Sequence, residues 1–172
     1  AAAELGYRPN VLARSLITGK SQMIGLVVAY LDNYFYPEAL ELLSSALQKK
    51  GYHVLIFMSG NKEGDIADAV DEILDYQVDG IIAASVSMSS DLAKRCTSAG
   101  VPVVLFNRTQ DDDRLSAVTS DNFQGGQKVA RFLLAGGHKR IGYIAGWEGA
   151  STQRDREKGF TEELVRNGQE LY

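Results

Sequence analysis

The sequence predicts an α/β fold, a doubly wound parallel sheet, and three observations carry that prediction. Apolar runs rich in β-branched residues recur roughly every 25 to 30 residues. One amphipathic helical segment separates each pair, which is the spacing of right-handed βαβ crossovers. The runs are continuous rather than alternating, as expected where helices cover both faces of a sheet.

The elements follow in order. Ile24 to Ala29 reads as the first strand. Pro37 to Lys50 predicts a helix with Leu40, Leu43 and Leu47 on one face, and Gly51 supplies a left-handed stop. Val54 to Met58 is the second strand, with His53 at its start. Glu63 to Tyr76 is helical, striped by Ile66, Val70, Ile73 and Leu74. Gly80 to Ala84 is the third strand. Ser85, Ser87, Ser89 and Ser90 form a loop ending in a helix cap before Asp91, and Leu92 to Ala99 is a helix stopped by Gly100. Pro102 to Phe106 is the fourth strand. The Asp111-Asp112-Asp113-Arg114 run reads as a solvated loop, since three adjacent carboxylates cannot all face one ion. Leu115 to Thr119 is a short strand, and a helix then runs to about Ala135, ended by Gly136-Gly137-His138. Arg140 to Ala145 is a sixth strand and about Gln153 to Asn167 a final helix. That last pair either extends the first sheet or opens a second lobe.

The chain has 172 residues, 45% of them apolar, and a formal net charge of −4. Taken whole, that charge argues against bulk nucleic-acid binding. The first 21 residues differ: Arg8, Arg14 and Lys20 stand against Glu4 alone, so any DNA contact belongs to this end. Cys96 is the only cysteine, which excludes an intrachain disulfide and points to a reducing compartment. Its neighbours Leu92, Ala93 and Ala99 suit a buried structural thiol. No apolar run approaches the ~18–20 residues of a membrane span, and no signal-peptide core precedes the domain. The opening Ala1-Ala2-Ala3-Glu4-Leu5-Gly6 reads as the end of a helix, so the sequence is expected to be a fragment.

Catalytic constellations are missing. There is no phosphate loop, no G-x-G-x-x-G after a strand, no H-E-x-x-H and no G-x-S-x-G elbow. The two histidines, His53 and His138, lie far apart in sequence and suit structural positions. An enzyme is disfavoured, and no metal or cofactor is expected.

Pro9 suits a first helical position, and from Asn10 to Ile17 helical spacing puts Ala13 and Leu16–Ile17 on one apolar side. Such a segment makes only ~2 turns and is marginal alone in water. Two copies packed at a twofold axis could sit in a minor groove with leucines as wedges. The alternative is a linker that caps the α/β domain.

The sequence resembles the LacI/GalR family of bacterial regulators through nearly its whole length. The matching pieces are Ala2 to Asn10, Leu12-Ala13-Arg14-Ser15-Leu16, Thr18-Gly19, Ile24-Gly25-Leu26-Val27-Val28 and Asn33-Tyr34-Phe35-Tyr36. Further matches are Val78-Asp79-Gly80-Ile81-Ile82, Gly100-Val101-Pro102-Val103-Val104, Asp121-Asn122 with Gly125-Gly126, Gly137-His138-Lys139-Arg140-Ile141 and Arg156-Glu157-Lys158-Gly159-Phe160. The resemblance implies a hinge helix and a two-lobed effector domain like the type I periplasmic binding proteins. It divides the chain into residues 1–21, the end of a DNA-binding headpiece plus hinge; 22–121, the N-terminal effector lobe; and 122–172, the crossover and start of a truncated second lobe. More than a hundred further residues would complete the pattern.

The resemblance also implies site residues. Leu16 matches the leucine that wedges into the operator minor groove, with Asn10, Ala13 and Arg14 lining the groove or the partner hinge and Arg8 near phosphates. Phe35 and Tyr36 match aromatic positions at the cleft mouth, where a ring stacks on a sugar or base; alternatively they staple the helix to the sheet. Asn107 and Arg108 follow the fourth strand, and many relatives carry aspartate where Asn107 stands. Arg156 matches an arginine that binds effector polar groups, with Thr152 and Arg154 near it; Arg154 could instead pair with Asp155 or Glu157. Trp147 either roofs the ligand or packs in the core. The implied function is a cytoplasmic, homodimeric repressor that binds operator DNA under control of a small sugar-like effector. The alternative is a periplasmic-type sugar-binding protein.

Overall fold

The computed structural model describes residues 15, 17–29, 31, 34–60, 63–86, 88–110 and 115–172. The expected DNA contacts Arg8, Asn10, Ala13, Arg14 and Leu16 lie outside the described residues. Five strands alternate with helices: β1 (Met23–Val28), α1 (Phe35–Lys49), β2 (His53–Met58), α2 (Glu63–Asp75), β3 (Gly80–Ala84), α3 (Ser90–Ser98), β4 (Val103–Phe106) and β5 (Ser116–Val118). Two helices follow, α4 (Asn122–Ala135) and α5 (Ser151–Arg166). The sheet order is β2-β1-β3-β4-β5. β1 runs parallel to β2, with Met23 opposite His53, and parallel to β3, with Ile24 opposite Gly80. This is the α/β architecture that the spacing of apolar runs predicts. Contacts gather the chain into two compact units, Ala1–Val104 and Leu105–Tyr172.

In the first unit, Leu26, Val27, Val28, Ile66, Val70, Ile73 and Ile81 are almost wholly excluded from solvent. Each contributes about 1.5–3 kcal/mol relative to exposure. Gly25 lets α2 close onto β1: a Cβ there would stand 2.6 Å from Ile73 Cγ2. Gly51 and Gly100 take positive φ, +86° and +73°, and end their helices as expected. Ser89 caps α3 by accepting from the Leu92 N–H at 3.3 Å. Cys96 is buried, and that burial pushes its thiol pKa up. One expectation fails at β2. Ile56 and Met58 are 52% and 55% exposed. β2 is an edge strand with β1 as its one neighbour, so continuous hydrophobicity there does not bring burial on both faces.

In the second unit, α4 and α5 pack with their backbones nearly touching. A Cβ on Gly126 would lie 2.1 Å from the Arg156 carbonyl oxygen, and one on Gly159 would lie 2.0 Å from that of Phe123. The core beside this crossing is Ala130, Ile141, Phe160 and Leu164, with Tyr143 against the Phe160 ring at 5.2 Å. Glu163 is 4% exposed yet charged. It accepts from Arg131 Nε at 2.9 Å and Nη2 at 3.0 Å, and from Arg166 Nη1 at 2.7 Å. The hydrogen bonds from Arg131 hold its carboxyl below the ordinary carboxylate range, against the opposing effect of burial. The expected strand Arg140 to Ala145 is not formed: among the described residues it has no strand ladder, and Ile144 faces solvent. A strand needs a neighbour for its N–H and C=O groups, which apolar character alone does not supply.

Candidate functional site

The second unit gathers most of the residues proposed for the effector. β4 ends at Phe106, and the next residue, Asn107, takes a left-handed φ of +61° while its N–H donates to the Val118 carbonyl at 2.8 Å. That turn delivers Arg108 inward. Arg108 is 6% exposed, and its guanidinium carbon sits 5.2 Å from the centre of the Trp147 ring, a cation–π contact. The next residue, Thr109, donates its N–H to Ser151 Oγ at 2.9 Å, which ties the end of β4 to the first turn of α5.

Trp147 lies against Gly149, where a Cβ would stand 2.3 Å from indole Cζ2. Glycine is therefore what allows the ring to lie on the backbone. The indole is 56% exposed, so it remains available to a ligand rather than packing in the core. Thr152 stands half-buried in the first turn of α5. Arg154 donates to the Glu148 carbonyl oxygen at 3.2 Å.

Arg156 lies one turn further along α5. Its Nε donates to Asn122 Oδ1 at 2.8 Å. Asn122 is buried and is itself fixed, donating through Nδ2 to the Ser120 carbonyl at 2.9 Å and to Thr119 Oγ1 at 3.2 Å. Asp121 caps the same helix start by accepting from the Gln124 N–H at 2.8 Å. The guanidinium is thus braced at Nε, while its two terminal nitrogens make no further bond among the described residues. A braced planar fork is suited to vicinal hydroxyls or a carboxylate.

Phe35 and Tyr36 lie in the first unit, at the start of α1 just beyond β1. Their rings meet edge to face, 5.1 Å apart at 82°. Tyr36 is buried and Phe35 is half-exposed. Sequence reasoning gave no role to Asn122 or Ser151. Asn122 stood in a matching Asp-Asn pair, but nothing in that pair announces a brace for an arginine thirty-four positions on.

A hollow of about 430 Å³ lies beside Arg156, walled by Val129, Leu133, Ile144 and Phe160. Arg156 and Tyr143 are the polar side chains of its lining and the remaining walls are apolar, so the hollow is not assigned to the effector. Among the described residues no group of three or more His, Cys, Asp or Glu could hold a metal ion, and no helix is long and apolar enough to cross a membrane.

Comparison with known proteins identifies the family. The maltose regulon regulatory protein MalI of Escherichia coli (strain K12) is 31% identical over 166 residues, covering 96% of this chain and 48% of the relative. The sucrose operon repressor of Streptococcus mutans serotype c is 34% identical over 157 residues, covering 91% and 48%. Among solved structures, a complex of the transcriptional regulator CelR with cellobiose superposes with a TM-score of 0.78 at 26% identity, covering 99% of this chain and 52% of that one. The chain spans about half the length of the curated relatives it matches. Residues 21–172 match the family described as periplasmic binding proteins and sugar binding domain of LacI family, and the chain belongs to that family.

Proposed function

We propose that this chain is the hinge and effector-binding part of a cytoplasmic, homodimeric repressor. It holds a sugar or related metabolite and binds operator DNA according to whether that ligand is present. Residues 1–21 would reach DNA, and 22–121 and 122–172 would belong to the two effector lobes. The observation that carries the reading is Arg156, fixed at Nε by buried Asn122 with its fork open. Such a group binds a polyol without first losing side-chain freedom. Trp147 supplies an exposed flat ring and Asn107 and Thr152 supply polar groups, while Phe35 is the exposed ring of the first unit. None of these side chains forms a nucleophile–base pair, and the curated relatives are regulators rather than enzymes. That naming also favours a regulator over a solute-binding protein.

Ligand can act on DNA only through its different affinity for two conformations. Calorimetry of the full-length protein against maltose, sucrose and cellobiose tests the effector half of the reading. One of these or a close relative should bind, and Arg156→Ala should weaken it about tenfold or more, since hydrogen bonds from a charged group are lost. Binding unaffected by Arg156→Ala, or no sugar bound at all, would count against it.

A further inference from the structure

Ser15, Ile17 and Thr18 are helical, and Gly19 ends that turn with φ of +66° while its N–H donates to the Ser15 carbonyl at 2.8 Å. Only residues 19–22 then separate this helix end from β1, a strap of at most ~14 Å. At its far end the Gln22 carbonyl accepts from the His53 N–H of β2 at 2.7 Å, and its Ser21 and Gln22 N–H groups are held from the other side by one carboxylate. The Asp79 carboxylate accepts from the Ser21 N–H at 2.9 Å and the Ser21 hydroxyl at 3.1 Å through Oδ1, and from the Gln22 N–H at 3.1 Å through Oδ2. Its own N–H donates to the Met23 carbonyl at 2.8 Å, the rung before the β1–β3 ladder begins.

Two non-glycine residues adopt left-handed backbone to make this arrangement. Gln22 has φ of +56° and aims its N–H at the carboxylate; Gln77, at +52°, turns the chain out of α2 to present Asp79. Such conformations persist only where surrounding bonds enforce them. Ser21 is buried, and its Oγ also accepts from the Met23 N–H at 3.2 Å. Beneath the strap lies a polar hollow of about 680 Å³, bordered by Lys20, Tyr52, Gln77 and Gly100. Without the carboxylate the strap would have room to wander there.

We propose that Asp79 is a positioning residue that fixes the exit path of the DNA-binding segment from the effector domain. It acts through the strap at Ser21 and Gln22, not through ligand. This rests on the regulator reading above for its effect on DNA, but not for its effect on the strap.

The test uses full-length protein carrying Asp79→Ala, Asp79→Asn and Ser21→Ala. Three quantities are read: amide hydrogen exchange at residues 17–22, affinity for a palindromic duplex selected from a random library by the wild-type protein, and affinity for the sugar the wild type binds. Asp79→Ala should speed exchange at Ser21 and Gln22 about tenfold and weaken the duplex about tenfold, with sugar affinity within about twofold. Asp79→Asn keeps one acceptor oxygen and should fall between, as should Ser21→Ala, which loses only the hydroxyl. Should Asp79→Ala fail to fold, the other two variants carry the comparison. Unchanged exchange, unchanged duplex affinity, or a matching loss of sugar affinity overturns the proposal. A wild type that selects no duplex overturns the regulator reading, while the exchange rates still decide whether Asp79 orders the strap.

Discussion

Arg156 Nε and Asn122 Oδ1 meet at 2.8 Å, joining the first half of α5 to the first residue of α4. The bond fixes the direction of a guanidinium whose outer nitrogens are unengaged among the described residues.

Asn122→Ala should therefore weaken sugar binding without removing any proposed ligand contact. It also removes the Nδ2 bonds to the Ser120 carbonyl, which keeps the backbone N–H of residue 122 as a donor, and to Thr119 Oγ1, at a cost of about 0.5–1.5 kcal/mol each in stability. Calorimetry alongside denaturant unfolding checks both. Full sugar affinity in a destabilised variant would show that the brace serves folding alone.

The helix crossing gives a paired prediction on adjacent glycines. Gly126→Ala puts a methyl onto the Arg156 carbonyl, backbone that cannot swing away, and should cost about 1–3 kcal/mol or more. Gly125→Ala meets nothing within 4 Å and should stabilise α4 by about 0.5–1 kcal/mol. Urea midpoints of the two variants should move in opposite directions.

Glu163 sets an acid dependence. Hydrogen bonds from Arg131 depress its folded-state pKa below the ordinary 4.5, so protons bind the unfolded carboxyl first as pH falls. The sign follows from linkage: the stabilisation is complete above the unfolded value and is lost as pH drops through the folded one. Glu163→Gln should be less stable at neutral pH and should lose less stability on acidification below that range. Parallel melting curves against pH in both proteins would contradict this.

How much of this was legible in the sequence depends on whether a feature is local. β1 and β3 could be read because fully buried strands are apolar at every position, and Gly51 and Gly100 because a helix stop is a local event. The exposure of Ile56 and Met58 could not, because edge position is a property of sheet order. Residues 140–145 have strand composition but no partner strand among the described residues. Arg156 was found through resemblance. Asn122 and Asp79 were not, because each acts on a residue more than thirty positions away. The left-handed Gln22 and Gln77 carry no residue signal, since tertiary bonds impose those conformations, whereas Asn107 is of a type that tolerates positive φ.

Leu16 separates a DNA-binding hinge from an inert linker. Leu16→Ala should weaken operator binding about tenfold or more, the loss expected when an apolar wedge is removed, with sugar affinity unchanged. Gel-shift titration of both proteins checks it, and equal affinities would favour the linker.

The most direct test is to titrate the full-length protein onto its selected operator with and without saturating sugar. The account predicts that operator affinity changes by at least about fivefold, the lower range of coupling between linked sites. Identical operator affinity in both conditions would contradict it, since a ligand bound equally by both conformations cannot control either.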